Sequence, residues 1–152
     1  MAAYAHYPSS LGLLEIGYDC NGVTSLRIVS RPLHGHSPTA LTDVAAAQIA
    51  EYLAGGRQSF DFPLSPKGTP FQNTVWNQLL KIPYGQTRTY GQIAAAIGSP
   101  KAARAVGQAV NRNPIWIVIP CHRIVGTGGK LTGYAGGLEL KPQLLDLEQL
   151  HK

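Results

Sequence analysis

The 152-residue sequence contains few cysteines, few charges and no long apolar run. Its two cysteines, Cys20 and Cys121, form no Cys-x-x-Cys pair, and the five histidines show no ligand spacing beyond a single His-Gly-His. We therefore expect no bound metal. No apolar run approaches the roughly 20 residues that a transmembrane helix requires, so we expect no membrane partner.

The first ten residues lack the charged and apolar regions of a secretory signal. We therefore expect a cytoplasmic protein, associated with the nucleoid if the source is prokaryotic, whose thiols stay reduced. Hydrophobic residues make up 44% of the chain, which is typical of a folded protein. The net charge of +5 permits a nucleic-acid partner but does not by itself indicate one.

The first part of the chain has the pattern of a small sheet with one helix. Apolar residues alternate over residues 11–30 on both sides of Asn21-Gly22, which predicts a β-hairpin with a tight turn. An apolar residue at every fourth position predicts a helix over residues 42–53. Phe60 and Phe62 then alternate as they would in a short strand.

The proline-rich residues 63–70 predict a linker between two domains, 1–66 and 67–152. Beyond it, Thr69-Pro70 predicts the start of a helix, and a second short helix follows over residues 90–97. By the same cap-and-proline logic, Ser99-Pro100 predicts the start of a third helix. Two short helices joined by a tight turn are typical of a helix-turn-helix.

Three features complete the second domain. The apolar residues 115–119 predict a buried extended run, residues 126–137 a glycine-rich loop, and residues 138–150 a helix with Pro142 in its first turn. We therefore expect an α+β protein. Its small N-terminal sheet and helix precede a helical domain that resembles a winged helix-turn-helix.

Cys121 stands in the run Pro120-Cys121-His122-Arg123. A neighbouring imidazole or cation lowers the pKa of a thiol, and a change from about 8.5 to about 7 raises the thiolate fraction at neutral pH roughly fifteenfold. Cysteine is also among the most buried residue types, so an isolated Cys-His pair more often reflects packing than chemistry.

The surrounding motifs decide between these alternatives. Four segments resemble the O6-alkylguanine-DNA alkyltransferases. The active-site signature is matched by residues 119–123 and the recognition helix by residues 100–107. The asparagine hinge is matched by residues 113–114 and the substrate loop by residues 133–138. The similarity extends from about Gly68 to Glu148 with its spacings intact, whereas the N-terminal half, ribonuclease H-like in that family, matches loosely.

The resemblance implies five catalytic roles. Cys121 accepts the alkyl group, His122 takes the thiol proton through a water, and Glu148 orients the histidine. Asn113 holds the turn between helix and active site, and Tyr90 donates a proton to the departing base.

The resemblance also implies a DNA-binding surface and a base pocket. Arg104 enters the minor groove and fills the gap left by the extruded nucleotide, while Lys101 and Arg112 contact phosphates. Three small residues allow the helix to approach closely: Ala102, Ala103 and Ala105. Four residues line the pocket: Tyr134, Ala135, Trp116 and Ile124.

The expected reaction explains these residue types. A thiolate displaces guanine from an alkyl carbon in one step and becomes a thioether, which has no carbonyl for water to attack. The protein then acts once, without a cofactor, as a monomer on double-stranded DNA that carries O6-alkylguanine, with O4-alkylthymine as a further candidate. We therefore expect a methylated-DNA–protein-cysteine methyltransferase that inactivates itself.

Two pocket positions depart from some relatives. Ala135 replaces a serine, so backbone groups must contact the base there, and Trp116 replaces a proline, from which we expect bulky adducts to be restricted. Three alternatives remain: a non-catalytic protein that binds alkylation damage, which would lack Cys121; a cysteine hydrolase; and a winged-helix transcription factor.

Overall fold

The structure is a computed structural model that describes residues 3–129 and 140–152. Internal contacts divide the chain into two compact units, Met1–Lys67 and Gly68–Lys152. The division falls within the proline-rich segment, one residue after the boundary expected from the sequence. The fold is α+β, as predicted. No helix among the described residues is long and apolar enough to cross a membrane.

The first unit is a three-stranded antiparallel sheet with one helix. Strands β1 (Ala3–Ser9), β2 (Gly12–Asp19) and β3 (Gly22–Val29) pair in that order, and α1 spans Ala40–Leu53. The predicted hairpin is confirmed as β2–β3. The sequence pattern did not reveal β1, because within it Ala5 alone is buried and the large apolar alternation of a half-buried strand is missing.

Two predictions for this unit were wrong in detail. Helix α1 begins two residues before Thr42, because Thr39 caps it and the two threonines form a reciprocal capping box. Phe60 and Phe62 lie in no strand of the described chain. Their rings pack against each other at 6.0 Å, so the alternation reflects an aromatic cluster rather than strand pairing.

The polar interior of this unit centres on Glu15 in β2, which is 2% exposed. Its carboxylate oxygen Oε2 lies 3.0 Å from His6 Nε2 and 3.2 Å from His34 Nδ1, and it accepts the backbone N–H of Leu33. Burial raises the pKa of Glu15, but these hydrogen bonds outweigh it and hold the pKa below the ordinary value of 4.5.

The second unit is mainly helical. Its helices are α2 (Pro70–Leu79), α3 (Tyr90–Ala96), α4 (Ala103–Asn111) and α5 (Leu140–His151). Strands β4 (Arg88–Thr89) and β5 (Ile124–Val125) form a parallel pair. This pair connects the segment before α3 to the 3₁₀ turn Cys121–Arg123. Trp76 of α2 donates its indole N–H to the carbonyl of Ala109 in α4 at 2.9 Å.

The start of α4 differs from the prediction. The Ala102 N–H donates to the Ser99 carbonyl at 2.8 Å, so Ser99 and Pro100 form a turn rather than a helix start. Helix α4 begins at Ala103, and within the described chain no side chain caps it. Proline suits the second position of a turn as well as a first helical turn, so the sequence signal was ambiguous. Lys101 and Ala102 consequently precede the helix.

Residues 115–119, which are buried apart from the half-buried Trp116, are not extended, and this corrects the second prediction for this unit. The Ile119 N–H donates to the Ile115 carbonyl at 3.1 Å, the Val118 N–H donates to Trp116, and Ile117 has φ +72°. The segment is therefore a tight buried turn. A short apolar run carries no periodicity that could distinguish a buried strand from such a turn. Helix α5 keeps Pro142 in its first turn, as predicted.

Candidate active site

Asn113 fixes the backbone that leads to the cysteine. It follows α4, its Oδ1 accepts the N–H of Ile115 at 3.0 Å, and its Nδ2 donates to the carbonyl of Ile119 at 2.8 Å. These bonds close the turn in which Ile117 adopts its left-handed φ. A β-branched residue in that region is strained by about 1–3 kcal/mol and persists only where the surroundings enforce it. Asn113 supplies two of the contacts that enforce it.

The same amide reaches the sulfur. Asn113 Nδ2 lies 3.1 Å from Cys121 Sγ, and both residues are buried. Because an N–H donor stabilises a thiolate more than a thiol, this contact favours the ionised form of Cys121. Asn113 thus combines the expected turn contacts with a direct contact to the sulfur. Cys20, by contrast, is exposed in the other unit.

His122 and Glu148 form a buried pair. Glu148 Oε2 of α5 lies 2.7 Å from His122 Nε2, and the residues are 1% and 0% exposed. A carboxylate only accepts hydrogen bonds, so Nε2 carries the proton and Nδ1 is the basic nitrogen of the neutral ring. Burial lowers the pKa of His122, and the opposing attraction of Glu148 does not reverse that direction. The ring is therefore neutral at neutral pH.

Glu148 is itself held by two elements. The Arg123 guanidinium donates to it from Nε at 2.9 Å to Oε1 and 3.2 Å to Oε2, and from Nη2 at 2.9 Å to Oε2. The Gly85 N–H donates to Oε1 at 3.0 Å, from a turn where Gly85 has φ +78°. Arg123 Nη1 also donates to the Ile82 carbonyl at 2.7 Å. The sequence placed Arg123 in the motif but gave it no role.

Lys141 is a buried cation that sequence reasoning missed. It lies in the first turn of α5, is 0% exposed, and its Nζ has no hydrogen-bond partner in the part of the chain that the structure describes. Burial lowers the pKa of Lys141, whereas the thiolate charge of Cys121 raises it. The net effect lowers the pKa of Lys141, and the amine, when protonated, contributes a positive potential at the sulfur. A lysine on a helix ordinarily indicates a solvated surface, so the sequence held no signal for this burial.

The residues expected to contact DNA lie just before α4, in its first turn and just after its end. Arg104, Lys101 and Arg112 are exposed, as is Ala105, whereas Ala102 and Ala103 are half-buried. The residues from 68 onward contain nine Lys and Arg against three Asp and Glu, compared with four against five before them. The positive charge is therefore concentrated in the second unit, where a polyanion would bind.

The remaining predicted site residues are placed as follows. Tyr90 begins α3, is half-buried, and its ring lies against Gly107 of α4, where an added Cβ would be 3.7 Å from the ring. Trp116 is half-buried and Ile124 is buried. Tyr134 and Ala135 lie outside the described residues. Within residues 3–129 and 140–152, no group of three His, Cys, Asp or Glu side chains is arranged to hold a metal ion.

Comparison with known proteins identifies the family. Residues 70–150 match the family model of the 6-O-methylguanine DNA methyltransferase, DNA binding domain. A methylated-DNA–protein-cysteine methyltransferase of Methanosarcina acetivorans is 62% identical over 95% of this chain and 97% of its own length. The chain belongs to the O6-methylguanine-DNA methyltransferase family. A relative from Mycolicibacterium paratuberculosis is 46% identical over 99% of this chain and 94% of its own.

Solved structures of this methyltransferase family share the fold. The Mycobacterium tuberculosis O6-methylguanine methyltransferase superposes with a TM-score of 0.90 at 43% identity, covering 100% of this chain and 95% of its own. The same protein in complex with DNA gives 0.89 at 44% identity, covering 97% and 93%. The predictions of family and fold class are thereby confirmed, and the alternative of a non-catalytic protein that binds alkylation damage is not favoured.

Proposed function

We propose that this protein repairs DNA by transferring an alkyl group, methyl above all, from O6-alkylguanine to Cys121 Sγ. The supporting observation is the line of contacts Asn113–Cys121 and His122–Glu148 within a chain of the methyltransferase family. A sulfur with an amide donor beside it, followed by a neutral histidine whose other nitrogen faces a carboxylate, is suited to forming a nucleophile. The activity is that of a methylated-DNA–protein-cysteine S-methyltransferase.

The reaction is a single displacement at the alkyl carbon. The thiol proton passes to the basic nitrogen of His122, Sγ forms a bond to carbon, and the carbon–O6 bond breaks. The electron pair leaves on guanine, and the Tyr90 hydroxyl supplies a proton to the departing base. The products are guanine in DNA and an S-alkyl cysteine. Because a thioether does not hydrolyse, each molecule acts once, and one monomer suffices.

DNA is bound through the second unit, where the positive charge is concentrated. The damaged nucleotide leaves the stack at a cost of a few kcal/mol, which is smaller for a weakened base pair. The exposed Arg104 of α4 fills the vacated space, and the neighbouring small residues allow the helix to approach the minor groove. The base pocket formed by Tyr134 and Ala135, and a cytoplasmic location, remain predictions from the sequence.

Intact-mass spectrometry tests the proposal. The purified protein is incubated with a duplex oligonucleotide that contains one O6-methylguanine, and the expected result is the gain of one methyl group per molecule on the peptide with Cys121. Cys20→Ser should transfer normally and Cys121→Ser should not. Repeated turnover by one molecule, or tight binding of the lesion without a mass change, would support the hydrolase or the damage-binding alternative instead.

A further inference from the structure

We propose that Arg123 is a positioning residue for alkyl transfer, which holds the Glu148 carboxylate toward His122 and prevents the buried His–Glu pair from taking up a proton. This inference rests on the proposed function, because it concerns how the thiol proton is accepted. It assigns a role to a side chain whose hydrogen bonds are made to Glu148 and to the Ile82 carbonyl.

The geometry of the carboxylate carries the first part of the argument. Three guanidinium contacts between 2.9 and 3.2 Å engage both oxygens of Glu148, and the Gly85 N–H fixes Oε1 from another direction. Arg123 is anchored in turn by the Ile82 carbonyl and by its position 5.7 Å from the centre of the Tyr84 ring. A carboxylate held in this way keeps Oε2 directed at the histidine.

The charge of the pair carries the second part. Without Arg123, the buried Glu148 anion would face His122 and would lose the guanidinium charge that contacts both of its oxygens. The pair would then take up a proton, either as imidazolium with carboxylate or as imidazole with carboxylic acid. In both forms Nδ1 of His122 holds a proton and cannot accept one from the thiol. The positive charge of the guanidinium stabilises the ionised carboxylate, so the pair has less tendency to bind this proton.

The other groups around the pair do not replace that charge. Lys141 lies on α5 with Glu148, and its charge, like that of Arg123, lowers the pKa of His122, but among the described residues its Nζ makes no hydrogen bond to the carboxylate. Burial, and after it the charge of Glu148, raise the pKa of the Tyr84 hydroxyl, so Tyr84 remains neutral at neutral pH. Arg123 supplies a full positive charge in direct contact with the carboxylate. Its charge also lowers the pKa of His122, which favours the neutral ring that can accept the thiol proton.

The test is the pH dependence of the Cys121 reaction in the full chain, measured in two ways. Single-turnover transfer from an O6-methylguanine duplex reports the proposed function, and alkylation by iodoacetamide, with Cys20 replaced by serine throughout, reports thiol activation without DNA. In Arg123→Met, the pH at which the rate falls to half on the acid side of the profile should rise by about one unit. Lys81→Met, which removes an exposed charge in the same unit, should leave it unchanged.

Two further variants separate positioning from simple structural support. Arg123→Lys keeps the positive charge but loses the guanidinium donors that contact both oxygens of Glu148. The rate should therefore fall, while the pH midpoint remains equal to that of the parent. Arg123→Met combined with Glu148→Gln removes both charges and should return the midpoint toward the parent value. A fall in the reactive fraction of Arg123→Met at every pH with an unmoved midpoint would overturn the proposal. Failure of the parent to accept methyl, with the iodoacetamide midpoints shifting as stated, would overturn the proposed function alone.

Discussion

Replacement of Asn113 by alanine should weaken the fold and the nucleophile together. The structure gives its side chain three partners: the Ile115 N–H, the Ile119 carbonyl and Cys121 Sγ. Alanine leaves two buried backbone groups without these bonds, each worth about 1–3 kcal/mol when unsatisfied. Relief of the backbone strain at Ile117 offsets part of this loss in the free energy of unfolding. We therefore expect a loss of about 2–4 kcal/mol in the free energy of unfolding.

Urea denaturation followed by tryptophan fluorescence measures this loss, since Trp76 and Trp116 lie in the affected unit. The matched control is Asn111→Ala, an exposed residue of α4, for which a change within about 0.5 kcal/mol is expected. A second variant, Asn113→Asp, retains the acceptor for Ile115 but places a carboxylate beside the sulfur. Thiol alkylation at pH 7 should therefore slow in Asn113→Asp even where urea shows it folded.

An Asn113→Ala protein as stable as Asn111→Ala would contradict the expected loss of stability. Reaction of Asn113→Asp with iodoacetamide as fast as the parent would contradict the expected effect on the thiol. The first result would mean that the turn before Cys121 is enforced by packing alone. The second would mean that the amide contact at 3.1 Å does not influence the charge on sulfur.

Three further predictions concern other parts of the molecule. Lys141→Met should raise the free energy of unfolding, because an apolar side chain replaces a buried amine. The pH midpoint of thiol alkylation should also rise, because a positive charge near the sulfur is lost. A midpoint equal to that of the parent would contradict this. Because the pKa of Glu15 is lowered in the folded state, its stabilisation is present above pH 4.5 and is lost as the pH falls through the folded-state pKa. The difference in the free energy of unfolding between the parent and Glu15→Gln, measured in urea, should therefore shrink in acid. A difference that stays constant with pH would exclude this linkage. Trp116→Ala should react faster with benzylated guanine than the parent, if the indole restricts bulky adducts as the sequence predicts; equal rates would reject that hypothesis.

Local signals in the sequence were sufficient for most of the secondary structure. The cap formed by Thr69 with Pro70 beside it sets the start of α2, and the turn at Asn21-Gly22 sets the β2–β3 hairpin. These features work because a cap or a tight turn is satisfied by neighbours three or fewer residues away. The errors occurred where one residue type serves two local structures, as Pro100 does in the turn before α4.

The sequence by itself also determined the family and predicted the nucleophile, because the motif around Cys121 is contiguous. It could not determine what surrounds Glu148, since Gly85 lies 63 residues away in the chain and Arg123 lies 25 away. Nor could it show that Lys141 is buried. Hydrogen bonds and burial between distant segments exist only once helices pack, so the charge balance at the active site is a property of the tertiary structure.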